Sequence, residues 1–265
     1  MLNIYRRFWQ VNWAEQWQYR ANMLMYLLYW LISPIIYLAV WTSIANAKGS
    51  VGGLTANDFI TYYMTLLVVD QLTSNITIHI FAYKIQDGTL SAELIRPVHP
   101  LLTNTLINNI AFKALNFLAF VPVWAVLWLL YRPDFSSVTW QGLVLALPAV
   151  VMGFTLGFLL SGVITSIAFW TTRVWSIQEF YFALALLFSG QFVPLQLMPQ
   201  LVQDLARYLP FQFLIYYPIQ LILGRLSTPE ILRGYLVCTV WLGLAWFLFR
   251  WMWREGVKRY SAVGA

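Results

Sequence analysis

The sequence predicts an all-α polytopic membrane protein with six transmembrane helices, and three observations carry that prediction. Of the 265 residues, 60% are hydrophobic and only 10% charged, whereas a soluble domain carries roughly a quarter charged residues; the mean hydropathy is +0.67. Ten acidic and sixteen basic side chains cannot cover a water-soluble globule of this length. The apolar residues gather in segments long enough, at about 1.5 Å per residue, to cross roughly 30 Å of hydrocarbon, and the charges lie between them, where membrane proteins keep their cations.

The chain reads as one transmembrane domain over 1–265. In residues 1–21, Trp9, Trp13 and Trp17 are four apart and share a helical face, while Arg6, Arg7, Glu15 and Arg20 occupy others, which predicts a helix lying in the membrane interface. Residues 23–45 form the first span, with a kink expected at Pro34. The run is too long for a secretory signal despite Ala45-Asn46-Ala47 after it, so an uncleaved anchor is expected. After a turn at 48–53, residues 59–81 make a second, more polar span. A loop with a short helix follows at 83–100, bounded by Pro97 and Pro100. The third span runs to about Tyr131, and Arg132-Pro133-Asp134 is a turn. Residues 143–170 are the fourth, and 179–193 the fifth. The proline-rich stretch 194–224 contains an amphipathic piece at 198–208 and an apolar piece at 211–223, too short to span alone. A re-entrant outer hairpin buried against protein is the reading that fits it. Residues 232–249 are the last span.

Orientation follows from the basic residues. With both termini cytoplasmic, eleven of sixteen fall inside (Arg6, Arg7, Arg20, Lys84, Arg96, Lys113, Arg173, Arg250, Arg254, Lys258, Arg259) and five outside, the bias expected of a multi-pass protein. The net charge of +6 is scattered rather than gathered on a face, which argues against nucleic acid as a partner. A single cysteine, Cys238, excludes an intrachain disulfide and a thiolate cluster. None of Lys48, Lys84, Lys113 and Lys258 follows a glycine, so there is no phosphate-cradling loop, and with only His79 and His99 a metal or catalytic cluster has little to draw on. The chain therefore reads as a non-enzyme with no cofactor or metal of its own.

Three places carry functional interest. In the second span Gln71, Asn75 and His79 recur every four residues beside Asp70, Ser74 and Thr77, a polar face that lipid does not accept. It either lines a translocation pathway or hydrogen-bonds neighbouring helices. In the fourth span Gly153, Gly157 and Ser161 form a small-residue groove suited to close intrachain packing. In the 83–100 loop Leu90 and Leu94 share a face of a short helix over 89–95 ended by Pro97, either a partner-docking element or an interfacial connector.

Three passages then resemble the membrane subunit of an ABC exporter of the ABC-2 type, in its six-span permease branch. They are the inner loop Asp87-Gly88-Thr89-Leu90-Ser91-Ala92-Glu93-Leu94-Ile95-Arg96-Pro97, the outer prolines from Pro194-Leu195 and Met198-Pro199 through Leu209-Pro210-Phe211 to Tyr217-Pro218, and the tail Lys258-Arg259-Tyr260-Ser261-Ala262-Val263-Gly264. The resemblance covers the whole chain. It implies a cytoplasmic coupling helix in the first inner loop, separate ABC ATPase subunits that bind ATP and Mg, a second permease subunit (homodimer or paralogous heterodimer), and a plasma (inner) membrane location. The residues expected to couple to the ATPase are Leu90, Glu93, Leu94 and Arg96; those expected along the pathway are Asp70, Gln71, Ser74 and Asn75. The alternatives are an ion-coupled carrier or channel that uses Asp70 and needs no ATPase, and a membrane-embedded enzyme, which the scarcity of acids and histidines disfavours.

Overall fold

The computed structural model describes the backbone of residues 2–75 and 77–260, and the side chains of that range apart from those of 2–5, 76–80 and 103–104. Among the described residues the regular structure is helical, with one isolated bridge between Val51 and Leu54. The order is α1 (Leu2–Gln18), α2 (Arg20–Lys48), α3 (Ala56–Thr73), α4 (Thr77–Gln86), α5 (Ser91–Leu94), α6 (Ile107–Tyr131), α7 (Trp140–Ser166), α8 (Val174–Phe188), α9 (Gln200–Ala206), α10 (Tyr216–Ile222) and α11 (Thr228–Arg259). A π-helical turn, Leu101–Leu106, leads into α6, and 3-10 turns follow α7 and precede α9 and α10.

Among the described residues four helices are long and apolar enough to cross a bilayer: Arg20–Lys48, Ile107–Tyr131, Trp140–Phe169 and Thr228–Arg259. Their side chains divide into two stripes. On α2, Met23, Leu27, Leu31, Leu38 and Ala45 are buried against the bundle, while Leu24, Leu28, Ile32, Ile36 and Val40, four apart, are exposed. A helix apolar on every side, with one stripe left outside the core, is built to face lipid. On α11 Leu232, Leu236, Val240 and Leu244 repeat the pattern. The helix α2 continues through Pro34 without interruption.

Local chemistry sets the ends. Thr55 and Asp58 form a reciprocal cap at the start of α3, the Thr139 hydroxyl accepts from the Gly142 N–H at α7, and the Glu230 carboxylate accepts from the Ser227 N–H and hydroxyl at α11. Each satisfies amide donors that the first helical turn leaves without partners. The end of α6 is set by Arg132, in the left-handed region at φ 46°, immediately before a proline that cannot continue the helix.

Connections gather at two opposite ends. At one, Arg225 pairs with Asp58 at 2.7 Å and the Thr61 hydroxyl donates to the Asp134 carbonyl at 3.1 Å. At the other, the Gln86 amide donates to the Thr172 carbonyl, the Ser91 N–H to the Tyr260 hydroxyl, and His99 lies on Trp253 with ring centroids 4.8 Å apart. The segments 49–55, 132–139 and 190–227 therefore serve the first end, and 87–100, 170–173 and the C-terminal turn of α11 serve the second.

Two expectations are corrected. The segment 59–81 is not one helix: α3 stops at Thr73 and α4 begins at Thr77. The fifth apolar helix covers Val174–Phe188 rather than 179–193. It stops where Gly190 turns at φ +80° with its own Cα against Tyr62 and Tyr216; a Cβ there would lie 2.7 Å from the Tyr62 hydroxyl, which donates to the Gly190 carbonyl at 2.7 Å. The chain that follows is held by Trp41 Nε1 and the Tyr63 hydroxyl, both donating to the Phe192 carbonyl. Irregular backbone survives at this depth because protein groups satisfy it.

Residues 211–222 fill the space against α7. The Phe213 carbonyl would lie 2.6 Å from a Cβ on Gly153, and the Leu221 carbonyl 2.6 Å from one on Gly142. Eleven residues of α7 separate those glycines, roughly 16 Å along the axis. The segment therefore enters the bundle by about that depth and α10 climbs back, burying Tyr217, Pro218, Ile219, Gln220 and Leu221.

Candidate functional site

The break between α3 and α4 is built from short polar side chains. The Thr73 hydroxyl bonds back to the Val69 carbonyl at 2.9 Å, and Ser74 leaves the helix with φ −57° and ψ 157°. Residues of this kind compete with the helix for its own backbone groups. A helix that ends inside a bundle leaves carbonyls without donors. Here the Ser74 N–H serves the Asp70 carbonyl at 2.9 Å. The Lys113 ammonium of α6 donates to the Gln71 carbonyl at 2.9 Å and reaches the Ser74 hydroxyl at 3.4 Å. It also lies 5.4 Å from the centroid of the Phe154 ring. A cation at the negative end of α3 is electrostatically favoured.

The other side of the break is pressed into α7. Asn75 Oδ1 accepts from the Ser161 hydroxyl at 2.7 Å, and a Cβ on Gly157 would stand 3.0 Å from Asn75 Nδ2. The small residues Gly153, Gly157 and Ser161 thus receive the hairpin at Phe213 and the break at Asn75, as intrachain packing. Gln71, Ser74 and Asn75 meet Lys113, Asn109 and Asn116 around a recess with room for about one water molecule. Asn116 is 1% exposed and its Oδ1 has no hydrogen-bond partner among the described residues.

Asp70 faces this group only through the charge of Lys113. It is half-buried, it does not line the recess, and its carboxylate makes no hydrogen bond or ion pair among the described residues. The expected continuous polar face through Gln71, Asn75 and His79 is corrected by the break, since four-residue spacing aligns side chains only within one helix; the side chains of Thr77 and His79 lie outside the described residues. Lys113 is corrected too. It belongs to the bundle interior and not to a boundary, so it drops out of the eleven bases on which the expected orientation rested. Sequence reasoning missed Asn109, Lys113 and Asn116. Their spacing of four and three in an otherwise apolar helix was the available signal.

The 83–100 loop presents a one-turn helix. Leu90 is fully buried with Phe81, Ile85 and Leu101, Glu93 is buried with a carboxylate oxygen 2.7 Å from Lys84 Nζ, and Leu94 is half-buried. Ile95 is 87% exposed and Arg96 is exposed beside it. Of the four expected coupling residues, Leu90 and Glu93 therefore face inward. Leu90 and Glu93, three apart on one face of the short helix, anchor the turn, and the outer surface falls to Ala92, Ile95, Arg96 and Pro97. Burial holds the His99 imidazole below its ordinary pKa of 6.5, and its Nδ1 accepts from the Leu101 N–H at 3.3 Å.

The candidate site thus comprises a broken helix clamped by one ammonium, and an exposed turn tied to α4 and to Tyr260 at the end of α11. A comparison with curated proteins finds no match. The model of a family described as "ABC-2 family transporter protein" matches residues 22–264, nearly the whole chain, and the protein belongs to the ABC-2 family of transporter proteins.

Proposed function

We propose that the protein is the membrane-spanning permease subunit of an ATP-driven exporter in the plasma membrane. On this reading the chain crosses the bilayer six times: α2, the broken pair α3 and α4, α6, α7, α8 with the irregular segment after it, and α11. Both termini are cytoplasmic, α1 lies along the inner interface, and 194–224 form the outer re-entrant hairpin. Two permease subunits, identical or paralogous, enclose the pathway, and ABC ATPase subunits that carry ATP and Mg dock on the inner turn.

The observation that carries the reading is the exposed pair Ile95 and Arg96 on a turn whose other face is pinned through Leu90, through Glu93 to Lys84, and through Ser91 to Tyr260. Such a turn transmits a push to both α4 and α11. A nucleotide shifts a conformational equilibrium only through contacts that differ between two states, and α4 leads directly to the break at Ser74 and Asn75. Discontinuous helices stabilised by neighbouring groups are a recurrent means of building transport sites. Closure of the ATPases would tilt α4 about the break and favour the outward-releasing arrangement.

The test is to purify the tagged permease with its ATPase and to compare Ile95→Asp with Arg96→Glu. Both variants are expected to lose most of the co-purifying ATPase and of ATP-dependent export while the permease itself stays folded. Unchanged association in both removes the support for docking at this turn. Asp70 sustains a second reading, an ion-coupled carrier, because it places a carboxylate within the bundle whose electrostatic partner, Lys113, makes no direct ion pair with it. Transport by the permease alone, abolished in Asp70→Asn, would favour that reading.

A further inference from the structure

A pocket between α9, α10 and the start of α11 plays no part in the transport reading. It is an open pocket of about 330 Å³ at the end of the molecule that carries the Asp58 and Arg225 pair. Its polar lining includes Gln203, Gln220, Arg207, Arg233 and Glu230. Most of these groups are fixed by partners. The Gln203 amide donates to the Gln196 and Met198 carbonyls at 3.1 and 2.8 Å. The Glu230 carboxylate is tied to Ser227 at the start of α11. Arg207 pairs with Asp204 at 3.0 Å while remaining half exposed. The Arg233 guanidinium lies 4.9 Å from the Tyr208 ring centroid, a stacked position that fixes its plane and leaves its N–H edges available.

Gln220 is different. It is 2% exposed, and its Nε2 has no hydrogen-bond partner among the described residues. Buried amides in folded proteins are nearly always paired, so a donor kept in the wall of a pocket calls for an acceptor from a ligand. Two guanidinium groups and an amide donor, set against one carboxylate already committed to a helix cap and one paired aspartate, favour an acceptor-rich anion; guanidinium forks match the oxygens of phosphate. We propose that this pocket binds a phosphate-bearing anionic group through Arg207, Arg233 and the Gln220 amide. Such a group can come from a lipid headgroup, since Leu232 and Leu236 beside Arg233 expose an apolar strip at 67% and 66%, or from a soluble phosphate ester.

Binding to the full-length protein in neutral detergent decides the matter. The probes are short-chain phosphatidylglycerol, the diacylglycerol with the same tails, and glycerol 1-phosphate. Phosphatidylglycerol is expected to bind at least ten times more tightly than diacylglycerol. Arg233→Gln and Gln220→Leu should each weaken it at least tenfold, and Lys48→Gln, an exposed base at the same end, should leave it unchanged. Gln220→Leu should also leave the ligand-free protein at least as heat-stable as the wild type, because it removes an unpaired amide; a fall in stability would mean that the amide has a structural partner and would overturn the proposal. Comparable binding of glycerol 1-phosphate supports the proposal with a soluble source, and binding of phosphatidylglycerol alone supports it with a lipid source. No preference for either phosphate over diacylglycerol, or a preference that survives both variants, overturns it. Neither result bears on ATPase docking at Ile95 and Arg96.

Discussion

Replacing Lys113 by Met tests whether the break in α3 and α4 is held by charge. The ammonium donates to the Gln71 carbonyl at 2.9 Å, touches the Ser74 hydroxyl at 3.4 Å, and lies 5.4 Å from the Phe154 centroid. Methionine keeps most of the length and the packing on Phe154, so the main losses are the donor to a helix-end carbonyl inside the bundle and the positive charge that acts on the Asp70 carboxylate. A buried acceptor left unpaired costs about 1–3 kcal/mol. Removal of the ammonium also relieves a desolvation cost, but the ammonium lies at the negative end of α3, where a cation gains roughly 0.3–2 kcal/mol, and the two effects oppose each other. A net destabilisation of about 1–3 kcal/mol should lower the unfolding midpoint by roughly 2–10 °C for a chain of this size. Lys113→Arg, which keeps a cationic donor, should recover at least half of that. The assay is thermal unfolding in detergent followed by the fluorescence of the fourteen tryptophans. An unchanged or raised midpoint in Lys113→Met would refute the reasoning, because it would mean that burying the ammonium costs more than its contacts return.

Three further outcomes follow from particular contacts. Gly153→Leu should be strongly destabilising, since even a Cβ there would meet the Phe213 carbonyl at 2.6 Å and backbone cannot give way as a side-chain tip can; overpacking costs about 1–3 kcal/mol, whereas Gly243→Leu, with open space around its Cβ position, should be tolerated in the same unfolding assay. Arg225→Ala should remove a half-exposed pair that joins the end of the hairpin to α3, at a cost of about 1 kcal/mol or less, and the loss should shrink in high salt. Acidification should loosen the inner turn through His99: burial lowers its folded pKa below 6.5, so the unfolded state binds the extra proton first, the stabilisation is complete above 6.5, and it fades as pH falls from 6.5 through the folded value. Hydrogen exchange of residues 95–101 should rise across that window in the wild type and stay flat in His99→Phe; an equal rise in both would assign the effect to another group.

The residues made the class and the order of segments legible, because apolar runs of twenty or more residues leave few alternatives to a helix in lipid. The burial of 211–222 against α7 was suggested for the same reason in reverse: 211–223 is apolar yet too short to cross. What escaped was governed by tertiary packing. The stop at Thr73 depends on Lys113 reaching Gln71 from another helix, and the pattern in 59–81 alone reads as continuous. The fifth helix ends early because Gly190 must pass Tyr62 and Tyr216, contacts that lie 128 residues and 26 residues away in sequence. In the inner turn the spacing of Leu90 and Leu94 correctly identified one face, but periodicity says nothing about which way that face points. Burial turns Leu90 and Glu93 inward and leaves Ile95 on the outer surface beside Arg96, which was already among the expected residues.

Site-directed cross-linking tests the central claim most directly, since the one native cysteine, Cys238, is buried and can be replaced by Ser to give a cysteine-free permease. In that background a cysteine-reactive photo-cross-linker on Ile95→Cys should capture the ATPase subunit, with a yield that changes when ATP is added, and the same reagent on Lys48→Cys, at the opposite end, should capture none. Failure of Ile95→Cys to capture an ATPase from an assembly that still hydrolyses ATP, or equal capture from both positions, would contradict the account.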